Sequence, residues 1–269
     1  MHEKTQDAAT AALITGASAG IGATFARAYA KRGKTLVLTA RRGDRLSELA
    51  TSLAPVRCEV IVDDLADRDA PLRIAREVER RGLVIDTLVN NAGYGVTGSF
   101  LSRDWQTHAD FLQVMVTSVC ELAHRFVPGM RARKHGRVIN VASIAGLVPS
   151  SAGHTLYGAS KNFVIRFSES LALELAGTGV HVCALCPGFT WTEFHDANGM
   201  RARMGRMPNW LWQSTEAVVE EGIDAVESGR SRHVTGAVNR ALTTAFRHLP
   251  QPLANAIIRR QSRNYRDVD

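Results

Sequence analysis

Thr15-Gly16-Ala17-Ser18-Ala19-Gly20-Ile21-Gly22 is the stretch on which the reading of this chain turns. It follows the apolar run Ala12–Thr15 and opens a stretch of helical periodicity over 21–32. Ile21, Phe25 and Tyr29 share a face of that helix, and Gly33 supplies a stop. Three glycines therefore fall where a strand turns into a helix. Such a turn needs backbone without Cβ bulk if it is to approach a pyrophosphate. The helix N-terminus adds free N–H groups and the positive end of its dipole. Gly16, Ser18, Ala19, Gly20, Ile21 and Gly22 are the candidate phosphate-binding residues.

Outward from this turn the same alternation repeats. Short apolar runs at Ala12–Thr15, Thr35–Thr39, Glu59–Val62, Thr87–Val89, Arg137–Val141 and Val180–Leu185 read as strands. Helical periodicity fills 44–53, 67–80, 104–133 and 157–176, then Thr215–Ser228, before a last strand at Arg232–Thr235. Strand–helix alternation implies right-handed crossovers and a parallel sheet covered on both faces. No linker or repeat divides the 269 residues, so one α/β domain is expected. With 45% hydrophobic and 22% charged residues, the chain is not a disordered, collagen-like or coiled-coil protein. Lys+Arg 33 against Asp+Glu 26 gives 33 − 26 = +7, which permits phosphate-bearing ligands. The basic residues are spread rather than clustered, so nucleic acid is not an expected partner. No run approaches the roughly 18 apolar residues of a membrane span, and the polar tail 1–9 shows no secretory pattern, so a cytoplasmic location is expected. Cys183 and Cys186, three apart on a strand, point to opposite faces and read as core thiols. No His/Cys cluster has metal spacing.

The glycine turn is the first of several motifs in a set order: Thr15–Gly22, Asp64-Leu65, Asn90-Asn91-Ala92-Gly93, Ser143, Tyr157-x-x-x-Lys161 and Pro187-Gly188. On these the sequence resembles the short-chain dehydrogenase/reductase family over roughly residues 9–193. The resemblance implies a Rossmann-like, doubly wound parallel sheet. It also implies hydride transfer between a nicotinamide cofactor and a carbonyl or alcohol. By the same resemblance Asp64 bonds the adenine amino group, with Leu65 packed nearby, and Asn91, Ala92 and Gly93 pass the adenosine ribose. Pro187 and Gly188 meet the nicotinamide carboxamide, and Thr190 or Thr192 touches the cofactor. The end of the second strand lies beside the adenosine ribose in such a fold, where an acid would hold both hydroxyls and an Arg accommodates a 2′-phosphate. The sequence has Arg41 and Arg42 there and no acid, so NADP(H) is expected over NAD(H). Ala19 stands where some NADP-dependent relatives carry a second basic residue.

Tyr157 and Lys161 are four apart on a predicted helix and share a face. A free phenol, with a pKa of about 10, is a poor acid–base at neutral pH. A nearby ammonium and the positive oxidised nicotinamide favour the phenolate. In the family the Lys also holds the nicotinamide ribose. Ser143 ends the preceding strand, where its hydroxyl can hold a substrate oxygen while Tyr157 gives or takes the proton.

Two positions depart from the family pattern. Met115 stands where many members have an Asn that supports a water-mediated proton relay, and a thioether cannot replace amide hydrogen bonds. Ser143 and Tyr157 are one residue further apart than expected, a difference that the Pro149–Gly153 loop would absorb. The stretch 193–214, rich in Met and Arg with Trp210 and Trp212, reads either as a lid over a partly apolar substrate or as an ordinary crossover. Tyr94 and Val96 are expected beside it, and His154 reads as a solvated loop residue. The basic tail 236–269 reads as a packing helix or an oligomer contact, and Pro250 and Pro252 weaken a membrane-surface reading. A homo-oligomer, dimer or tetramer, is expected from the family. Two rivals stand beside this reading: a β-ketoacyl-thioester or long-chain β-keto reductase, and a non-catalytic NADP-binding sensor or scaffold.

Overall fold

Seven apolar runs become the strands of one sheet. They are β1 (Thr10–Thr15), β2 (Thr35–Ala40), β3 (Cys58–Val62), β4 (Val84–Asn90), β5 (Gly136–Val141), β6 (Val180–Cys186) and, after a small parallel pair β7 (Phe189–Thr190) and β8 (Trp212–Gln213), β9 (Arg232–Val234). The computed structural model describes residues 10–149, 152–153, 155–192, 208–250 and 253. The seven strands are all parallel, in the order β3-β2-β1-β4-β5-β6-β9. The order reverses between β1 and β4, which opens a crevice beyond their carboxyl ends. This is a Rossmann-like single domain.

The near-continuous apolar strands follow from burial on both faces. On β1, Ala12 and Ile14 face a core with Phe25 and Tyr29 of α1 (Gly20–Lys31) and Leu46 of α2 (Gly43–Ser52); Val218 and Ile223 of α7 (Thr215–Glu227) complete it. Ala11 and Leu13 face the opposite core, with Ile74 of α3 (Ala70–Arg80) and Leu122 and Met130 of α5 (Ser118–Ala132). Helix α6 (Thr155–Glu174) adds Val164 and Ile165 over Ala184 and Cys186. Cys183 lies in the first core and Cys186 in this last cluster, and burial pushes both thiols up to about 12. Helix α3 begins at Ala70 rather than at 67, because Pro71 lacks an N–H and suits a first turn.

The periodicity over 104–133 implies one helix, but the structure divides it. α4 (Trp105–Leu112) and α5 are joined by a π turn over Gln113–Thr117. Gln113 Nε2 donates to Ser118 Oγ, five residues on, at 3.3 Å, and Ser118 Oγ donates to the Leu65 carbonyl at 3.0 Å. β-Branched Val114, Val116 and Thr117 weaken regular winding there. The side chains that would reveal the change, Val114 and Met115, are both apolar and both buried, so the hydrophobic pattern runs through unbroken.

One polar thread crosses the core. Asn90 and Asn140 are cross-strand partners on β4 and β5. Asn90 Nδ2 donates to Asn140 Oδ1 at 2.8 Å, Asn140 Nδ2 to Ser168 Oγ at 2.9 Å, and Ser168 Oγ to the Val164 carbonyl at 2.7 Å. All three side chains are buried. Asn140 therefore fastens β5 to its neighbour β4 and to the helix above. Replacing it with Ala removes the middle of the thread and leaves buried polar groups short of partners. We expect Asn140→Ala to lose about 1–3 kcal/mol in urea denaturation; an unchanged midpoint would contradict this account.

Candidate active site

The crevice at the β1/β4 reversal is closed by Thr15. Its hydroxyl accepts the backbone N–H groups of Asn91 and Ala92, each at 2.9 Å, and donates to the Val89 carbonyl at 3.4 Å. The ends of the two strands are thereby held at one separation. Asn91 Nδ2 donates to the carbonyls of Thr15 and Gly16 at 2.9 and 3.3 Å, so its side chain buttresses the glycine turn from behind. The turn has no room for side chains. Gly16 has φ +65°, and a Cβ there would stand 2.8 Å from Ala92 Cα. A Cβ on Gly22 would strike the Gly16 carbonyl oxygen. Ala19, extended at φ −164°, caps α1 with no side-chain bond to its N–H groups, and the first turn carries no acid. A bare, positively polarised helix end thus faces outward.

At the neighbouring strand ends, Arg42 donates to Ser18 Oγ through Nε and Nη2 at 3.2 and 3.0 Å. Arg41 Nη1 lies 3.9 Å from Asp64 Oδ2, a pair largely open to water that contributes little. Asp64 Oδ1 also accepts the Ala66 N–H at 3.0 Å. Leu65 is buried in the core, and Gly93 packs against Met115, whose Sδ would be 2.9 Å from a Cβ at 93.

A second cluster forms where β5 meets α6. Ser143, extended at φ −170°, accepts the Ala145 N–H through Oγ at 3.1 Å, and its hydroxyl and that of Tyr157 are hydrogen-bonded. The added residue between Ser143 and Tyr157 does not keep them apart. The reason is local: Gly146 is pressed against the α6 backbone, where a Cβ would meet Asn162 N at 2.6 Å, and Asn162 Nδ2 donates to its carbonyl at 2.7 Å. Lys161 is 6% exposed; its Nζ donates to the Val141 carbonyl at 2.8 Å and lies 5.8 Å from the Tyr157 ring centre. Burial pulls the Lys161 ammonium down from 10.5 to about 8. Burial also pushes the Tyr157 phenol up, and the bond from Ser143 opposes that rise. Tyr157 borders a small cleft with mixed walls, Val96, Phe100, Phe111 and Leu156 together with Ser99, His108 and Thr155, and Tyr94 meets Phe111 edge to face at 5.6 Å.

The loop after β6 joins the two clusters. The Pro187 carbonyl accepts the Ile144 N–H at 3.0 Å. Gly188 sits against the side chain of Asn239, in the first turn of α8 (Ala237–His248), leaving no space for a Cβ. Thr190 is buried and donates inward to the Gly188 carbonyl at 3.1 Å, whereas Thr192 stands against Gly20. Of the two threonines, only Thr192 adjoins the glycine turn. Trp191 stacks on Trp212 at 4.1 Å. Glu221 ties this end together, accepting the Gly236 N–H at 3.1 Å and Arg240 Nη1 at 3.1 Å, with His233 Nε2 at 2.8 Å. Residues 193–207 of the expected lid and His154 lie outside the described residues. Among the described residues there is no group of three His, Cys, Asp or Glu able to hold a metal, and no helix long and apolar enough to cross a membrane.

Sequence reasoning gave no role to Thr15, Gly146 or Asn239. The position of Thr15 at a strand end directly before the glycine turn is the one signal that pointed to it. For the other two, partners distant in sequence supply the meaning.

The chain and its fold match known proteins. A family model described as short chain dehydrogenase matches residues 10–201. The oxidoreductase UcpA of Salmonella typhimurium is 36% identical over 243 residues, covering 85% of this chain and 91% of that protein. A short-chain dehydrogenase from Sphingobium yanoikuyae, solved in complex with NADPH, matches with a TM-score of 0.74 at 29% identity, covering 90% of this chain and 97% of that one. A bulky-bulky ketone specific alcohol dehydrogenase from Comamonas testosteroni matches with a TM-score of 0.72, also at 29% identity, over 90% and 95% of the two chains. With the family match running from the first strand past Thr192, the chain belongs to the short-chain dehydrogenase family and is an oxidoreductase of that kind.

Proposed function

We propose that the protein interconverts a ketone or aldehyde and an alcohol, using NADP(H) in preference to NAD(H), with Tyr157 as the acid and base. The observation that carries this reading is the hydrogen-bonded Ser143–Tyr157 pair beside buried Lys161, on the border of a cleft. A non-catalytic dinucleotide-binding protein has no need of that arrangement.

The residues present fit a dinucleotide. Gly16 and Gly20, both at positive φ and crowded by Ala92 and Thr192, shape the turn before the uncapped start of α1, whose N–H groups suit a pyrophosphate. Arg41 and Arg42 at the end of β2 would take a 2′-phosphate, with Ser18 holding the Arg42 guanidinium. Asp64, Leu65 and the turn Asn91–Gly93 would flank the adenosine. Pro187, Gly188 and Thr192 would border the nicotinamide end; Thr190 acts there only through the Gly188 backbone. When bound, the nicotinamide supplies or receives the hydride.

The protein's own part is the proton. Ser143 holds the substrate oxygen beside the Tyr157 hydroxyl. In reduction Tyr157 gives its proton to that oxygen, and in oxidation it takes one. The Lys161 ammonium stabilises the phenolate left behind, and its bond to the Val141 carbonyl keeps it in place. The walls of the cleft favour a partly apolar substrate.

Three outcomes test this reading. Tyr157→Phe should lower kcat by about 10²- to 10⁴-fold while NADPH still binds, as read by fluorescence titration; near-normal turnover would refute the role. The double substitution Arg41→Ala, Arg42→Ala should raise KM for NADPH by about 10- to 100-fold and leave KM for NADH within a few-fold, since it removes charge-assisted bonds to the extra phosphate only. The third concerns Lys161, whose folded-state pKa of about 8 lies below its ordinary 10.5. Between those values the unfolded chain binds the extra proton, so stability rises with pH. Relative to Lys161→Met, the wild type should gain stability in urea as the pH rises from about 8 towards 10.5. A constant difference would show that the ammonium is not desolvated.

A further inference from the structure

His108 lies on α4, and neither the glycine turn nor the Ser143–Tyr157–Lys161 cluster uses it. The side chain is 5% exposed and borders the same cleft as Tyr157. Its Nε2 lies 2.8 Å from the Phe100 carbonyl. A carbonyl only accepts, so Nε2 carries a proton, and in the tautomer this fixes Nδ1 is the acceptor. The ring is stacked on Phe100, with centroids 4.6 Å apart and planes 20° from parallel, and Trp105 lies 6.5 Å away. Its orientation is therefore fixed on three sides. Nδ1 is buried and has no hydrogen-bond partner. Ser99 and Thr155 also line the cleft, but neither bonds Nδ1, and an unpaired buried acceptor is costly unless a ligand supplies the missing donor.

We propose that His108 Nδ1 is a second recognition point in the cleft, accepting a hydrogen bond from a hydroxyl group carried by the substrate beyond its reacting carbonyl. This rests on the carbonyl-reductase reading of Tyr157. The chemistry of the wall selects the donor. Val96, Phe100, Phe111 and Leu156 offer no charge, and no Asp or Glu borders the cleft among the described residues, so an ammonium would enter without a counter-ion. A neutral hydroxyl carries no such penalty. The wall beside the ring is loop and 3₁₀ turn rather than sheet. It includes Gly98 at φ +111°, joined to the Gly153 carbonyl by one 3.2 Å bond, and the turn Phe100–Ser102. Nδ1 is buried, so a bound hydroxyl reaches it only if that wall moves.

The test uses matched pairs: plain aliphatic and aryl ketones against their α- and β-hydroxy analogues, each with NADPH. The wild type should favour one hydroxylated member of each pair by about 10-fold in kcat/KM, the size of one well-made neutral hydrogen bond. In His108→Phe the ratio should fall to near one, with activity on the plain ketone retained. His108→Asn, whose Oδ1 can replace Nδ1, should keep part of the preference, and it carries the test if the Phe variant does not fold. A wild-type ratio near one, or a ratio that survives in His108→Phe, overturns the hydroxyl subsite alone. Failure of the wild type to reduce any of the compounds, with NADPH shown to bind, counts against the carbonyl-reductase reading and takes the subsite with it.

Discussion

The hydroxyl of Thr15 sets the geometry on which the site depends. In a doubly wound parallel sheet the order of strands reverses once, and at that place the connections leave in opposite directions and expose a gap. Here the gap lies between β1 and β4, and one side chain spans it. By accepting two consecutive N–H groups from the chain leaving β4, Thr15 holds that chain against the glycine turn. Gly16 and Gly22 can have no side chains because the contact is already closed, and Asn91 completes it by bonding two carbonyls of the turn. The N-terminus of α1 is left uncapped and facing outward. The shape of the glycine turn is thus a consequence of how two strand ends are tied.

Much of this was legible in the sequence, for identifiable reasons. Strands buried on both faces need apolar residues at every position, and runs such as Leu36–Leu38 and Val182–Leu185 could hardly be anything else in a chain with regularly spaced helices between them. The glycine turn was legible because backbone crowding leaves a mark on residue type. The π turn was not. A change of winding within a buried stretch alters which carbonyl each N–H meets, yet Val114 and Met115 stay inside either way. The inward bond of Thr190 was equally hidden, because an alcohol at a strand end can face either the ligand or its own backbone. Gly146 and Asn162, which bring Ser143 to Tyr157 across the longer connection, are ordinary residues until their contact is seen.

Met115 gains a meaning in the structure that its residue type did not suggest. It is 1% exposed, and its thioether fills the space over Gly93. The chain that leaves β4 is therefore packed between Thr15 on one side and a flexible apolar side chain on the other. Whatever a polar side chain does at this position in relatives, here the residue acts by filling volume, and Gly93 is the complementary surface that admits it. The irregular winding of Gln113–Thr117 and the close fit of Met115 belong to one local arrangement.

The contact between Gly188 and Asn239 has a consequence for the order in which the molecule is completed. Synthesis delivers the chain from its N-terminus, and the glycine turn, the Thr15 tie and the Ser143–Tyr157 pair all lie within the first 161 residues. The loop after β6 cannot reach its final form until α8 arrives some 50 residues later and sets Asn239 against it, with Glu221 joining α7 to the start of that helix. A nascent or truncated chain would hold every residue of the Ser143–Tyr157–Lys161 cluster and still lack the floor beneath Gly188. Competence is thereby linked to length, and a fragment that ends early is an incomplete binding protein before it is an incomplete enzyme.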